Sequence, residues 1–227
     1  MERWEALGNV YLVTTGELTP DDVRALVGDA DGIVQVLASG GASADIVVWN
    51  PDGSTAEMSG NATRIAAKWV ADASGAREVI VRVGDRETHA RILENGGLEQ
   101  DLGPVDVGEP EEVDGVRFTP VSVGNPHAVV IGEPDDIARI GPMLETHPRF
   151  PERTNVQVAE IVSDGVVRAR VWERGVGETP ASGTSAVAVA AATHGSGRVV
   201  VKFPGGDLHV ELRDGRALLT GPAARVK

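Results

Sequence analysis

The feature that most constrains this chain is that it repeats itself. The strand-like run Ala44-Asp-Ile-Val-Val-Trp49 leads through a loop into Ser59-Gly60 and an alanine-rich stretch. Val166-Val-Arg-Ala-Arg-Val-Trp172 leads in the same way into Ser182-Gly183 and a second such stretch. Each tryptophan precedes its serine by ten residues, and the two serines are 123 residues apart. The match extends in both directions. REVIVRVGDRETHARI at 77–92 answers GRVVVKFPGGDLHVEL at 197–212, and Gly103-Pro104 answers Gly221-Pro222. Upstream, Gly8-Asn9-Val10-Tyr11 answers Gly124-Asn125-Pro126-His127. Matches that keep one order over about 100 residues describe a duplicated domain, whereas any one of them alone would mean little. The polar, proline-containing stretch Glu109–Val113 reads as the linker and divides the chain into halves 1–112 and 113–227.

Each half reads as α+β, with short alternating strands, one long central helix opening at Ser59 or Ser182, and one surface helix. The surface helices are placed at 20–27, with Thr19 as N-cap and Asp21 and Asp22 in the first turn, and at 135–145.

Composition narrows the chemistry. The chain has no cysteine, which excludes a disulfide framework, thiol catalysis and zinc held by thiolates. With 21 basic against 34 acidic residues the net charge is −13, a balance that repels phosphate backbones and anionic membranes, so neither nucleic acid nor membrane is an expected partner. The longest small-residue run, Ser185–Ala192, is too short to span a bilayer, and MERWEALG lacks a signal-peptide apolar core, so a soluble, cytoplasmic protein is expected. The histidines show no ligand spacing and no phosphate-loop glycine pattern is present, so no metal or organic cofactor is expected.

The two Ser-Gly turns are where chemistry can be placed. The first turn of a helix offers unpaired N–H groups and the positive end of the macrodipole, and glycine lets a ligand approach the backbone. Both helix starts therefore suit a carboxylate or phosphate. The plainer role for Ser59 and Ser182 is N-capping, the commoner task of serine there. The duplication shifts the balance. Two halves facing each other across a pseudo-two-fold would aim both helix starts into one cleft and set the serines on opposite sides of a bound carbon. That arrangement suits removal of a proton from one face and its return to the other. Around the repeat lie Asn50 and Glu173, each nine residues before its serine, with Arg174, Asn125 and Asn155 in neighbouring loops. Arg174 would suit bidentate carboxylate binding and Glu173 an ammonium. Taken singly, the asparagines are turn residues and Arg174 a surface charge.

SGNATR at 59–64, GNPHAVV at 124–130, RFPERTN at 149–155 and ERGVGETPASGTSA at 173–186 resemble the motif set of the diaminopimelate epimerase family, and the resemblance runs from Leu7 to Pro222. It implies an α+β fold of two pseudo-symmetric domains, each a mostly antiparallel sheet wrapped around a central helix. It further implies a pyridoxal-independent isomerase that inverts the α-carbon of LL-diaminopimelate in lysine biosynthesis, with the active site between the domains, and a homodimer. Carried over by motif, Asn50, Asn125, Asn155, Glu173 and Arg174 hold the distal end of the substrate. The N–H groups of Gly60-Asn61 and Gly183-Thr184 cradle the reacting carboxylate, and Asn9 and Gln35 line the site. The family's acid and base are cysteines, and here Ser59 and Ser182 stand in their places. A thiol has a pKa near 8.5 and falls further at a helix N-terminus, while a serine hydroxyl is a far weaker acid, so the exchange should cost orders of magnitude in rate. Three explanations fit: a chain altered from a two-cysteine epimerase; an isomerase or lyase like the phenazine-biosynthesis proteins, whose EDPATGSA stretch ETPASGTSA resembles, although Thr179 replaces their aspartate; or an amino-acid-binding module without turnover.

Overall fold

The computed structural model describes residues 1–56 and 58–226. The chain divides into two compact units, Met1–Asp101 with Thr220–Lys227, and Leu102–Leu219. The sequence division at 112/113 does not anticipate the return of the C-terminal residues to the first unit. There the short strand Ala224–Arg225 pairs antiparallel with Glu2–Ala6.

In the first unit the order is β1 (Glu2–Ala6), β2 (Asn9–Thr14), α1 (Pro20–Leu26), β3 (Gly32–Gly40), β4 (Ser43–Trp49), β5 (Thr55–Ala56), α2 (Gly60–Ser74), β6 (Glu78–Val83) and β7 (Arg86–Ile92), and β8 (Leu98–Pro104) runs across the division. β1–β2, β3–β4 and β6–β7 are antiparallel, while β2–β3 and β4–β6 are parallel. Parallel neighbours need a crossover, and α1 and α2 supply the two. Thr19 caps α1 in a reciprocal capping box with Asp22, as its position in the sequence suggests. Strand β4 alternates buried and half-buried residues, and its inner side, Ala44, Ile46 and Val48, meets Ala62, Ile65, Ala66 and Val70 of α2 in one core. α2 packs against β1, β2, β3, β4, β6 and β7, and ends on Gly75, whose φ of 73° closes the helix in the left-handed region.

The second unit repeats this plan. β9 (Asp106–Val107) and β10 (Glu111–Val113) precede β11 (Val116–Ser122), β12 (Pro126–Ile131), α3 (Ile137–Glu145), β13 (Asn155–Ser163), β14 (Val166–Glu173), β15 (Gly177–Thr179), α4 (Gly183–His194), β16 (Gly197–Phe203) and β17 (Gly206–Arg213), and β18 (Arg216–Gly221) runs across the second division. β11–β12, β13–β14 and β16–β17 are antiparallel, while β12–β13 and β14–β16 are parallel. Even the irregularities repeat: the register slips between Val36 and Ala38 in β3 and between Ile161 and Ser163 in β13. α4 packs against β11, β12, β13, β14, β16 and β17, and every residue from Gly183 to Ala191 is buried. A helix buried on all sides has no polar stripe, and small side chains let the sheet close around it. α3 covers the other side of β13 and β14, where Ile137, Ile140 and Leu144 pack with Val156, Val158 and Trp172. Gly141 is required there, because a Cβ would lie 2.7 Å from Trp172.

Candidate functional site

The first unit gathers part of the expected set around the start of α2. Ser59 is extended (φ −141°, ψ 115°) and its Oγ accepts from Ala62 N–H at 3.2 Å, so it does cap the helix. Gly60 and Asn61 follow in the first turn, both buried. The Asn61 side chain is turned inward, where Oδ1 accepts from Arg64 Nη2 at 2.6 Å. Arg64 is wholly buried, and its guanidinium also donates to Gly60 O at 3.0 Å and Pro222 O at 3.4 Å, three neutral acceptors. Burial lowers its pKa to about 10, which leaves it a cation at neutral pH beneath a helix start that is already positive. The single tyrosine, Tyr11 on β2, brings its hydroxyl to 3.4 Å from Ser59 Oγ.

Asn9 and Gln35 lie on neighbouring strands and are both buried. Asn9 Nδ2 donates to Ala6 O at 3.4 Å. Gln35 donates to Gly16 O and accepts from Trp49 Nε1, contacts that fix the loop after β2 against β4. Asn50 closes its own turn, with its N–H on Ser54 O and Nδ2 on Ser54 Oγ, so the structure gives it the turn role.

The second unit joins its expected residues into one hydrogen-bonded group. Asn155 opens β13 and bridges two motifs, donating from Nδ2 to Pro126 O at 2.9 Å and accepting at Oδ1 from the Arg174 N–H at 3.0 Å. Its amide thus fixes the Arg174 backbone relative to the GNPH turn. Asn125 Nδ2 reaches Thr184 Oγ1 in the first turn of α4 at 3.4 Å. Glu173 accepts from the buried Thr179 hydroxyl at 2.5 Å, and Arg174 Nη1 donates to Glu152 O at 3.4 Å. Ser182 is extended and 3% exposed, and its side chain makes no capping bond, unlike Ser59. Gly183 and Thr184 follow it, buried, at the helix start. A pocket of about 470 Å³ opens beside this group, lined by Ser122, Asn125, Pro126, His127, Arg149 and Phe150 among others.

His127 organises the group. Its Nε2 is 2.9 Å from Asn125 Oδ1 and its Nδ1 is 3.0 Å from Gln157 Nε2. An amide oxygen only accepts and an amide nitrogen only donates, so the ring carries its proton on Nε2. That bond occupies Asn125 Oδ1 and leaves its NH2 group as the donor, one hydrogen of which serves Thr184 Oγ1. Burial drives the imidazole pKa down to about 3, and the nearby Arg174 cation adds to the drop. Gln157 also donates to Ser185 Oγ at 2.9 Å, while its Oε1 has no hydrogen-bond partner among the described residues.

Sequence reasoning passed over three residues. Glu145 at the end of α3 accepts from Trp172 Nε1 and from Gly175 N–H, each at 2.7 Å, and so braces the loop that carries Arg174. Gln157 sits inside a strand pattern that reads only as core. Tyr11 did carry a signal, since it occupies the repeat position matched by His127.

Among the described residues, no helix is long and apolar enough to cross a membrane. The family model for diaminopimelate epimerase matches residues 119–226. The chain is 41% identical to the diaminopimelate epimerase of Desulforudis audaxviator, with 99% of this chain and 96% of that one covered. It is 37% identical to that of Acetivibrio thermocellus, covering 99% and 95%. Its fold is shared with a Pseudomonas aeruginosa protein described as a predicted epimerase (TM-score 0.74, 14% identity, 100% and 96% covered) and with a hydroxyproline epimerase from Agrobacterium vitis (TM-score 0.71, 16% identity, 99% and 90% covered). A phenazine biosynthesis protein of the PhzF family from Enterococcus faecalis has the fold as well (TM-score 0.72, 13% identity, 100% and 96% covered). Only the diaminopimelate epimerases among these combine the fold with identity above 30% along almost the whole sequence: the chain belongs to the diaminopimelate epimerase family, and is by that kinship an isomerase.

Proposed function

We propose that this protein interconverts LL- and meso-diaminopimelate in lysine biosynthesis by proton transfer at the α-carbon, without a cofactor. The observation that carries the reading is the linked group in the second unit: one amide, Asn155, ties the GNPH turn to the backbone of Arg174, as a site for one polar substrate end requires. In this reading the Arg174 guanidinium and the Asn125 NH2 donate to the distal carboxylate, and Glu173 receives the distal ammonium. In the same reading the first-turn N–H groups at Gly60-Asn61 and those at Gly183-Thr184 serve the reacting carboxylate, and Ser59 and Ser182 are the proton-transferring residues. Asn9 and Gln35 shape the surroundings of the first helix start, and Asn50, closed on its own turn, acts through the backbone. A cytoplasmic homodimer goes with this reading, and sedimentation of the purified protein tests the dimer.

Incubation with LL-diaminopimelate in D2O is the deciding experiment. Deuterium at the α-carbon together with meso product is the expected result. Saturable binding without exchange would make the protein a binding module, and a shifted double bond would make it an isomerase of the phenazine-biosynthesis type. The double serine favours a slow reaction, since neither hydroxyl alone matches a thiolate as base.

A further inference from the structure

The inference concerns Ser59 and rests on the reading just given, in which this residue meets the substrate's α-hydrogen. A lone serine hydroxyl is a poor base, but here it has company. Ser59 Oγ uses one lone pair to accept the Ala62 N–H at 3.2 Å, and Tyr11 Oη lies 3.4 Å away. With the seryl proton directed to the phenol oxygen, the second lone pair of Oγ stays open to a ligand. Arg64, one turn further along α2, is fully buried, with its guanidinium on the neutral acceptors Gly60 O, Asn61 Oδ1 and Pro222 O. Tyr11 is near enough to offset part of the burial penalty of that cation. Across the strands Tyr11 pairs with Trp4 of β1 and Gly32 of β3. A Cβ at Gly32 would lie 2.4 Å from Trp49 O and 2.8 Å from Tyr11 Cε1, so the glycine leaves room for both the β4 backbone and the ring.

We propose that Tyr11 is the proton-exchanging partner of Ser59, the two hydroxyls acting as one acid–base pair on one face of an amino-acid α-carbon. In the abstraction step the Cα–H bond breaks and its electron pair stays on carbon. The proton goes to Ser59 Oγ while the seryl proton goes to the Tyr11 phenolate, which leaves a neutral serine and a neutral phenol. The carbanion then takes a proton on its other face and Tyr11 releases its proton to water; in the opposite reaction direction the same transfers run in reverse and deliver a proton to this face. With an ordinary pKa near 10 against about 8.5 for a thiol, a phenol replaces much of the basicity that a serine lacks. The repeat gives the arrangement its logic. The strand after each Gly-Asn turn delivers a proton-bearing ring, Tyr11 in one unit and His127 in the other, but the imidazole is committed to Asn125 and Gln157.

Because the chain has a single tyrosine, biosynthetic replacement with fluorotyrosine acidifies this phenol and no other. The readout is α-hydrogen exchange of LL-diaminopimelate in D2O across pH, using the full chain. The midpoint of the alkaline rise in exchange is expected to move to lower pH with the fluorinated ring. Tyr11→Phe, which keeps the ring packing, is expected to slow exchange by about 100-fold, at the lower end for loss of an acid–base group, with calorimetric affinity for the amino acid unchanged. An unmoved pH profile, or native exchange in Tyr11→Phe, overturns the role of Tyr11 and leaves the epimerase reading intact. Absence of exchange in the native protein overturns that reading, and this proposal with it.

Discussion

The imidazole of His127 should make acid destabilise this protein in a way that one substitution isolates. In the unfolded chain its pKa is near 6.5, and in the fold it is about 3. The folded state therefore refuses a proton that the unfolded state accepts. Its contribution to stability is complete above pH 6.5, is lost progressively as the pH falls towards 3, and changes no further below that. At about 1.4 kcal/mol per pH unit the whole effect is about 5 kcal/mol, and the part between pH 6.5 and 4.5 is about 2–3 kcal/mol. The perturbation is His127→Asn, read by urea denaturation at pH 8 and pH 4.5 through tryptophan fluorescence. At pH 8 the variant should be weaker by about 1–3 kcal/mol, because Asn125 Oδ1 and Gln157 Nε2 lose a partner. On going to pH 4.5 the variant should lose about 2–3 kcal/mol less than the native protein, since all other titrations are common to both. If both lose the same amount, His127 is not held neutral, and the assignment of its proton to Nε2 fails with it.

Three further outcomes follow from the geometry. Arg174→Ala should weaken diaminopimelate binding by about 2–5 kcal/mol in calorimetry, the cost of leaving a charge unpaired, and an unchanged affinity would remove Arg174 from the substrate site. Cysteine at both 59 and 182 should raise the epimerisation rate steeply in the D2O assay; no gain would mean that the serines do not occupy the positions of catalytic thiols. Gly141→Ala would gain about 1 kcal/mol in an open helix, but at a 2.7 Å approach to Trp172 overpacking outweighs that gain, and stability should fall by about 1–3 kcal/mol. A raised melting temperature would show that the Trp172 ring has room to move.

Much of the fold was legible because a duplicated sequence presents the same local signals twice. Thr19 with Asp22, and Ser-Gly ahead of the alanine-rich stretches, mark helix starts whose reasons are local, and the helices begin where these signals lie. The return of the C-terminal residues to β1 left no such trace, because pairing between distant strands depends on tertiary context. The candidate site was legible through its motifs but not through its bonds. Asn125, Asn155 and Arg174 are visible as polar residues in loops, yet the amide that joins two of these loops appears only once β12 and β13 lie side by side. Glu145 and Gln157 were overlooked for a related reason. A carboxylate at a helix end and an amide inside a strand read as surface and as core, and only folding turns them towards Trp172 and His127.

The unbroken burial of α4 bears on how this protein could acquire a new specificity. From Gly183 to Ala191 every residue is buried against the sheet, so enlarging one of them means repacking an interior. Selection for a different amino acid is thereby steered towards the half-buried turns, where exchanging Asn125, Glu173 or Arg174 breaks hydrogen bonds rather than the packing of the helix. The helix supplies a fixed origin, and evolutionary change is confined to what is arranged around it.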